Sequence, residues 1–155
     1  MYPRIHVIAG LIFSLLIVLF FPQVGLLALV LFFSSFLIDF DHYMYYVFVK
    51  KDWNMKNALC WFGEVDKASK KISKKERKKF YSGIYFLHGI EAIILLICLS
   101  YFSEIFLFIL LGFVFHQLLD LIEIFILNES YDKLLSFFYS LHRAKYKKPY
   151  PIQIR

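Results

Sequence analysis

The stretch of residues 105–127, IFLFILLGFVFHQLLDLIEIFIL, decides the fold. Its apolar residues follow one another without the alternation of a strand, and its length is close to the roughly 20 residues that cross a bilayer as a helix. Three further apolar stretches, residues 5–21, 24–40 and 81–102, have similar character, and a continuation of the second through residues 43–49 is the alternative to its end at residue 40. We therefore predict an all-α polytopic membrane protein with four transmembrane helices, arranged as two hairpins.

The composition agrees with a membrane protein. Of the 155 residues, 60% are hydrophobic, and the mean hydropathy is +0.61. Soluble domains contain roughly 45–50% apolar residues, which argues against an ordinary water-soluble enzyme. At this length, residues 1–155 are expected to form a single membrane domain.

The 18 Lys and Arg residues, which give a net charge of +6, are segregated along the chain. None lies within residues 5–49 or 80–132. An even number of spans places both termini and the central loop on one side, and the positive-inside rule assigns that side to the cytoplasm. The prediction is an integral protein of the cell membrane whose termini, basic loop 50–79 and basic C-terminal tail 131–155 are cytoplasmic.

The central loop contains a second structural signal. Ser73-Lys-Lys-Glu76 has the spacing of a capping box, which predicts a short, basic, amphipathic helix. The cations from Lys67 to Lys79 are expected to lie on anionic lipid headgroups, with specific recognition of a headgroup phosphate as the functional alternative. Nucleic acid is not an expected partner, because no DNA- or RNA-binding motif accompanies these charges.

Few polar residues interrupt the apolar stretches, and no Lys or Arg inside the spans can pair with the acidic ones. A carboxylate deep in a bilayer costs at least about 2.5–3.5 kcal/mol, so protons, imidazolium or a bound cation must supply positive charge. Counting residues from the two hairpin turns places the polar residues at a similar depth, in the cytoplasmic halves of four helices. They are His6, Asp39, Asp41, His42, His88, Glu91, His116, Asp120 and Glu123.

The polar residues also share helix faces. His116, Asp120 and Glu123 fall within an arc of about 60°, and His88 and Glu91 are three residues apart. A histidine and a carboxylate at such spacings, projecting from facing helices, are how helical bundles build metal sites. A buried His–carboxylate hydrogen bond that fixes packing is the structural alternative. Because four clusters at one depth are hard to explain by packing, we predict a shared site that binds a divalent metal.

The residue types indicate which metal fits. Imidazole and carboxylate ligands suit Zn²⁺, with Mn²⁺ or Fe²⁺ as alternatives, and Cys60 and Cys98 lack the spacing of a structural zinc site. Glu91 and Glu123 are candidate catalytic residues, as a general base or proton shuttle. The predicted metal ligands are His6, Asp39, Asp41, His42, His88, His116 and Asp120.

Four short motifs follow one another along the chain: His6, Asp39-Phe-Asp41-His42, His88-Gly89 and His116-Gln-Leu-Leu-Asp120. Their order resembles that of the YdjM-like family of membrane-bound metal-dependent hydrolases. The resemblance implies a metal site and, by the family's description, hydrolysis. The family commonly has His-Arg-Gly-x-Thr-His-Ser in the third motif, whereas this chain has Leu-His-Gly-Ile-Glu-Ala. Either Glu91 replaces a ligand, or the catalytic arrangement is lost.

The function expected is hydrolysis of an amphiphilic, lipid phosphoester-like substrate at the cytoplasmic interface by metal-activated water. A metal-ion or proton pathway is an alternative, although Glu104 is the only charge in the outer halves of the spans. A haem-binding electron carrier would use two histidines as axial ligands, but would not need the clustered carboxylates. A structural membrane protein with a non-catalytic site, and oligomerisation, stay open alternatives.

Overall fold

The computed structural model describes residues 3–73, 76, 79–81, 83–127 and 136–149. These residues are mostly helical, which confirms the all-α class. The two short strands pair in parallel. The elements are α1 (Pro3–Phe20), a 3-10 turn (Pro22–Val24), α2 (Leu27–Leu37), α3 (Phe40–Lys50), α4 (Met55–Lys71), β1 (Phe80–Tyr81), α5 (Ile90–Ser100), α6 (Glu104–Leu127), α7 (Phe137–Tyr146) and β2 (Lys148–Pro149).

Helix α2 is central, packing against both α1 and α6, while α5 packs against α6. Small residues permit these close approaches. A Cβ atom on Gly10 would overlap Ser35 Oγ, and one on Gly112 would overlap Ser34 Oγ and lie 2.7 Å from the carbonyl oxygen of Leu31. Small residues at helix crossings are typical of membrane proteins, where they let two backbones come together.

Within the described part of the chain, two helical segments are long and apolar enough to cross a membrane, Leu27–Lys50 and Glu104–Ile126. Two further apolar helices, Arg4–Phe20 and Ile90–Ser100, are shorter. The second predicted span takes the longer of its two expected forms, because the backbone stays right-handed helical through Ile38 and Asp39 and continues into α3. The Asp39 motif therefore lies inside a long helical segment and not at its end.

The prediction that residues 81–102 form one continuous helical span is wrong for the first part of this range. Helix α5 begins only at Ile90, and residues 83–89 are a non-helical loop. The backbone N–H of Leu87 donates to Asp41 Oδ2 at 2.9 Å, and Gln117 Nε2 donates to the carbonyl oxygen of His88 at 3.2 Å. These tertiary hydrogen bonds pair backbone groups that a helix would otherwise pair within itself. A non-helical loop can therefore be accommodated inside the protein at this position.

The loop between the two halves contains α4, which begins well before the predicted capping box. Asn54 caps it, because Asn54 Oδ1 accepts from the backbone N–H of Lys56 at 2.9 Å and of Asn57 at 3.3 Å. At the predicted box, the Glu76 N–H donates to Ser73 Oγ at 3.4 Å. Residues 74, 75, 77 and 78 of the basic run, and residues 131–135 and 150–155 of the tail, lie outside the described residues.

Candidate metal centre

Polar side chains from four parts of the chain converge in one place. They form what we call the His–Asp cluster: His6 of α1, Asp39 between α2 and α3, His88 of the 83–89 loop, and His116 and Asp120 of α6. The histidines are buried, with at most 2% of each exposed. The side chains of Asp39 and Asp120 are 25% and 18% exposed. The cluster is therefore closed on its histidine side and reaches the protein surface through its carboxylates.

Four atoms define the centre of this cluster: Asp39 Oδ1, His88 Nε2, His116 Nε2 and Asp120 Oδ2. Asp39 Oδ1 lies 3.5 Å from each of the two nitrogens. Asp120 Oδ2 lies 3.8 Å from His88 Nε2 and 3.6 Å from His116 Nε2. These separations exceed the roughly 2.7–3.2 Å of ordinary hydrogen bonds. A tetrahedral Zn²⁺ with ligands at about 2.0–2.1 Å separates them by about 3.3–3.4 Å, so a small contraction gives metal-ligand spacing.

His116 is held with one ring nitrogen turned into the cluster. Its Nδ1 lies 2.8 Å from the carbonyl oxygen of Ser35. Because a carbonyl oxygen only accepts, Nδ1 carries a proton, and Nε2 is the nitrogen that is turned towards the centre. Among the described residues, this buried Nε2 has no hydrogen-bond partner. Buried polar atoms nearly always have a hydrogen-bond partner. A buried imidazole nitrogen that lacks one is therefore what we expect of a metal ligand.

His88 is oriented in the same way by Asp41. His88 Nδ1 lies 3.0 Å from Asp41 Oδ2, which also accepts the Leu87 N–H, while Asp41 Oδ1 lies 2.9 Å from His42 Nδ1. Asp41 was predicted as a ligand; both of its oxygens contact groups behind the imidazoles, and it lies outside the potential ligand groups found among the described residues. A carboxylate behind a histidine commonly fixes the tautomer of a metal ligand. His88 Nε2 is likewise buried without a hydrogen-bond partner in the described part of the chain.

His6 contacts Asp120 and His116 of the cluster, whereas His42, outside it, lies beside Asp39 and His88. His6 Nε2 is 3.3 Å from Asp120 Oδ1, and its ring stacks on His116 with 4.0 Å between centroids. His42 stacks on Tyr85 at 3.9 Å. The potential ligand atoms form three overlapping groups that share members, so they are one connected cluster. The groups are His6, Asp39 and His116; Asp39, His42 and His88; and His88, His116 and Asp120.

The two candidate catalytic glutamates lie outside these ligand groups. The Glu91 carboxylate sits at the start of α7, where it accepts the backbone N–H of Phe137 at 3.0 Å, that of Phe138 at 3.4 Å, and the Ser136 hydroxyl. Its position is that of a helix cap, which explains a carboxylate here without catalysis. Glu123 lies on α6, three residues beyond Asp120, and is half-buried.

The sequence interpretation missed two residues that support the cluster. Ser35 acts through its backbone carbonyl, so its side chain gives no signal. Gln117 is a polar residue inside an apolar helix, directly after His116, and this signal could have identified it. Its amide holds the His88 backbone and thereby links the two ligand-bearing segments.

The predicted metal site is confirmed as a His/Asp cluster whose geometry can hold a metal ion. Comparisons of the chain with protein-family models, curated proteins and solved structures give no match. The resemblance to the YdjM-like family therefore stays a prediction that rests on the four motifs.

Proposed function

We propose that this chain is an integral membrane protein that binds a divalent transition metal in the His–Asp cluster and uses it to hydrolyse a lipid phosphoester-like substrate. The proposal rests mainly on one structural observation. The atoms Asp39 Oδ1, Asp120 Oδ2, His88 Nε2 and His116 Nε2 converge, and both nitrogens are buried without hydrogen-bond partners among the described residues.

The charge of the cluster supports a bound cation. Two carboxylates face the imidazole nitrogens of His88 and His116, and the sequence has no Lys or Arg between residues 5 and 49 or between 80 and 132. A divalent ion balances two carboxylates, whereas leaving them unpaired in a low-dielectric region is expensive. Zn²⁺ fits the mixed nitrogen and oxygen ligands and the near-tetrahedral spacing, and Mn²⁺ and Fe²⁺ are the alternatives.

The membrane orientation follows from the helix lengths and the charges. We propose four spans, formed by α1, by α2 with α3, by α5 and by α6. Leu27 and Glu104 are the first residues of the two long apolar segments. Asp39 lies twelve residues after Leu27, and His116 lies twelve residues after Glu104. Twelve residues of helix span about 18 Å. In a hydrocarbon core about 30 Å thick, the cluster then lies in the half nearer the basic residues. The positive-inside rule makes that half cytoplasmic.

The chain's own residues suit hydrolysis at this position. When bound, a metal ion lowers the pKa of a coordinated water towards about 7 and supplies hydroxide. Asp39 and Asp120 form the exposed edge of the cluster, so water and a headgroup phosphate reach the centre from their side. His6 Nε2, 3.3 Å from Asp120 Oδ1, can hold or pass a proton there.

A structural metal site is the second candidate, favoured by the number of ligands. Asp39, His88, His116 and Asp120 could supply four ligands, the number that is typical of structural zinc, whereas catalytic sites keep an open position. A catalytic site and a structural site differ in whether the metal-loaded protein hydrolyses the substrate.

The experiment that separates them assays the purified full-length protein in vesicles containing phosphatidic acid or phosphatidylglycerol, after loading with Zn²⁺, Mn²⁺ or Fe²⁺. We expect release of phosphate or headgroup from the wild type and from His142→Ala, an exposed histidine of α7. Asp39→Asn should lower the rate at least about 100-fold, as expected for loss of a catalytic metal. Bound metal without turnover would support the structural site and contradict hydrolysis.

The orientation is tested separately with the two cysteines, both of which have exposed side chains. Cys60 lies on α4 and Cys98 on the apolar helix α5. In single-cysteine variants in intact cells, a membrane-impermeant maleimide should label Cys60 only after permeabilisation, and Cys98 should stay unlabelled. Labelling of Cys60 in intact cells would contradict the cytoplasmic loop, and rapid labelling of Cys98 in membranes would contradict the α5 span.

A further inference from the structure

Helix α4 presents two different apolar sectors. Ala58, Trp61 and Val65 are buried in a cluster that includes aromatic residues of α3. On another sector, Met55 and Leu59 are one turn apart and are 52% and 56% exposed. The second sector is therefore not used for packing within the described chain.

A third sector of α4 is basic. Lys56, Lys67 and Lys71 are all exposed. At 100° per residue they lie between about 100° and 160° around the helix from Met55. The exposed apolar sector thus lies between a buried sector and a basic one, which is the pattern of a helix that rests in a membrane interface.

Two large exposed aromatic side chains lie nearby, Phe48 at 73% in the last turn of α3 and Trp53 at 70% in the turn between α3 and α4. This turn is fixed by hydrogen bonds. Tyr43 Oη donates to the Trp53 carbonyl oxygen at 2.6 Å, and Tyr46 Oη donates to Asp52 Oδ2 at 2.6 Å. The backbone of Trp53 is therefore held in place, with its indole directed away from the protein.

We infer that Phe48, Trp53, Met55 and Leu59, here named the α3–α4 apolar surface, insert into the headgroup layer of an anionic bilayer leaflet. Its residues lie on both sides of Lys50, which ends the candidate span Leu27–Lys50, so the surface lies at the level where that span leaves the hydrocarbon. Tryptophan is enriched at this level. The neighbouring lysines complement the lipid phosphates. The inference does not depend on the metal or on hydrolysis.

The two tryptophans of the chain provide a matched test. Trp53 is exposed, whereas Trp61 is 8% exposed and packed in the protein. The full-length protein is reconstituted, with chelator, in phosphatidylcholine and phosphatidylglycerol vesicles whose acyl chains are brominated near the headgroup or near the bilayer centre. In the Trp53→Phe variant, all tryptophan fluorescence comes from Trp61. The fluorescence of Trp53 is obtained by subtracting the fluorescence of this variant from that of the wild type.

We expect bromines near the headgroup to quench Trp53 at least about two-fold more than Trp61, and bromines at the bilayer centre to quench it less, as for an interfacial tryptophan. Leu59→Gln and vesicles without phosphatidylglycerol should each reduce the quenching of Trp53. Quenching of Trp53 by aqueous iodide and not by lipid would overturn the inference. Protection from both quenchers would also overturn it, because a protein partner or a second copy would then cover the surface. Quenching that is unchanged without phosphatidylglycerol would overturn the role of the lysines.

Discussion

His116 Nδ1 donates a hydrogen bond to the backbone carbonyl oxygen of Ser35 at 2.8 Å. This bond joins α6 to α2 and determines which nitrogen of His116 faces the His–Asp cluster. Gly112, one turn before His116, packs against Ser34, which precedes Ser35. The orientation of a potential metal ligand is therefore set by how closely two helices approach.

Gly112→Ala tests this dependence. The added Cβ would lie 2.7 Å from the Leu31 carbonyl oxygen and 2.9 Å from the Ser35 nitrogen, backbone atoms that move only if the helices separate. We expect a loss of about 1–3 kcal/mol in the free energy of unfolding and weaker metal binding. Gly63→Ala on α4, where a Cβ meets nothing within 4 Å, should instead gain about 0.5–1 kcal/mol. Equal effects in detergent unfolding experiments would contradict the account.

The Asp41→Asn variant tests whether Asp41 only orients the His88 ring or itself binds the metal. Since Asp41 lies behind His88, we expect metal affinity to fall by about 10–100-fold while full occupancy is still reached at saturating metal. The affinity is measured by competition with a chromogenic chelator. Asp52→Asn, in the turn between α3 and α4, serves as the control and should not change the affinity. Loss of occupancy at every metal concentration would make Asp41 a ligand.

The sequence predicted which residue types gather, and the physical reason is the cost of burying charge. His88, His116, Asp39 and Asp120 are conspicuous in apolar stretches without any Lys or Arg, and helix counting placed them at one depth. The sequence did not separate Asp39 from Asp41. Residues two apart on a helix point about 200° apart, and only the packing of the 83–89 loop determines which one faces the centre.

The helical boundaries were predicted less well than the site. Residues 83–89 are apolar enough to continue a span, but the Leu87 N–H binds Asp41 and the His88 carbonyl binds Gln117. Such bonds join distant parts of the chain, and local composition does not encode them. The capping contacts of Glu91 were not predicted for the same reason, because its partners lie at residues 136–138.

Glu91→Ala should release the start of α7 and leave the metal centre intact. The carboxylate accepts two backbone N–H groups there, and loss of such a cap costs about 1 kcal/mol. We expect faster limited proteolysis of the C-terminal segment with unchanged metal content. Glu64→Ala, at an exposed position of α4, is the control. A fall in metal content without faster cleavage would assign Glu91 to the metal site.

The turn between α3 and α4 predicts an acid-dependent contribution to stability. Hydrogen bonds from Tyr46 and Asn57, and from the Asn54 backbone, hold the pKa of Asp52 below its usual value. Because the folded pKa is the lower one, ionised Asp52 stabilises the fold above the unfolded pKa of about 3.9, and this stabilisation disappears as the pH falls through the folded pKa. The Tm of the wild type should exceed that of Asp52→Asn near pH 7, and the difference should shrink below about pH 4. A difference that persists undiminished in acid would show that charge is not its cause.

The metal content of the purified protein tests the central claim most directly. The full-length wild type, His142→Ala, and the double variant His116→Ala/Asp120→Ala are purified in detergent, loaded with Zn²⁺, desalted and analysed by plasma mass spectrometry, with circular dichroism to verify helical content. The account predicts stoichiometric metal in the wild type and in His142→Ala, and at least about a ten-fold loss in the helical double variant, as expected when two ligands are removed. A wild type that retains no stoichiometric metal, or a double variant with unchanged metal content, would contradict it.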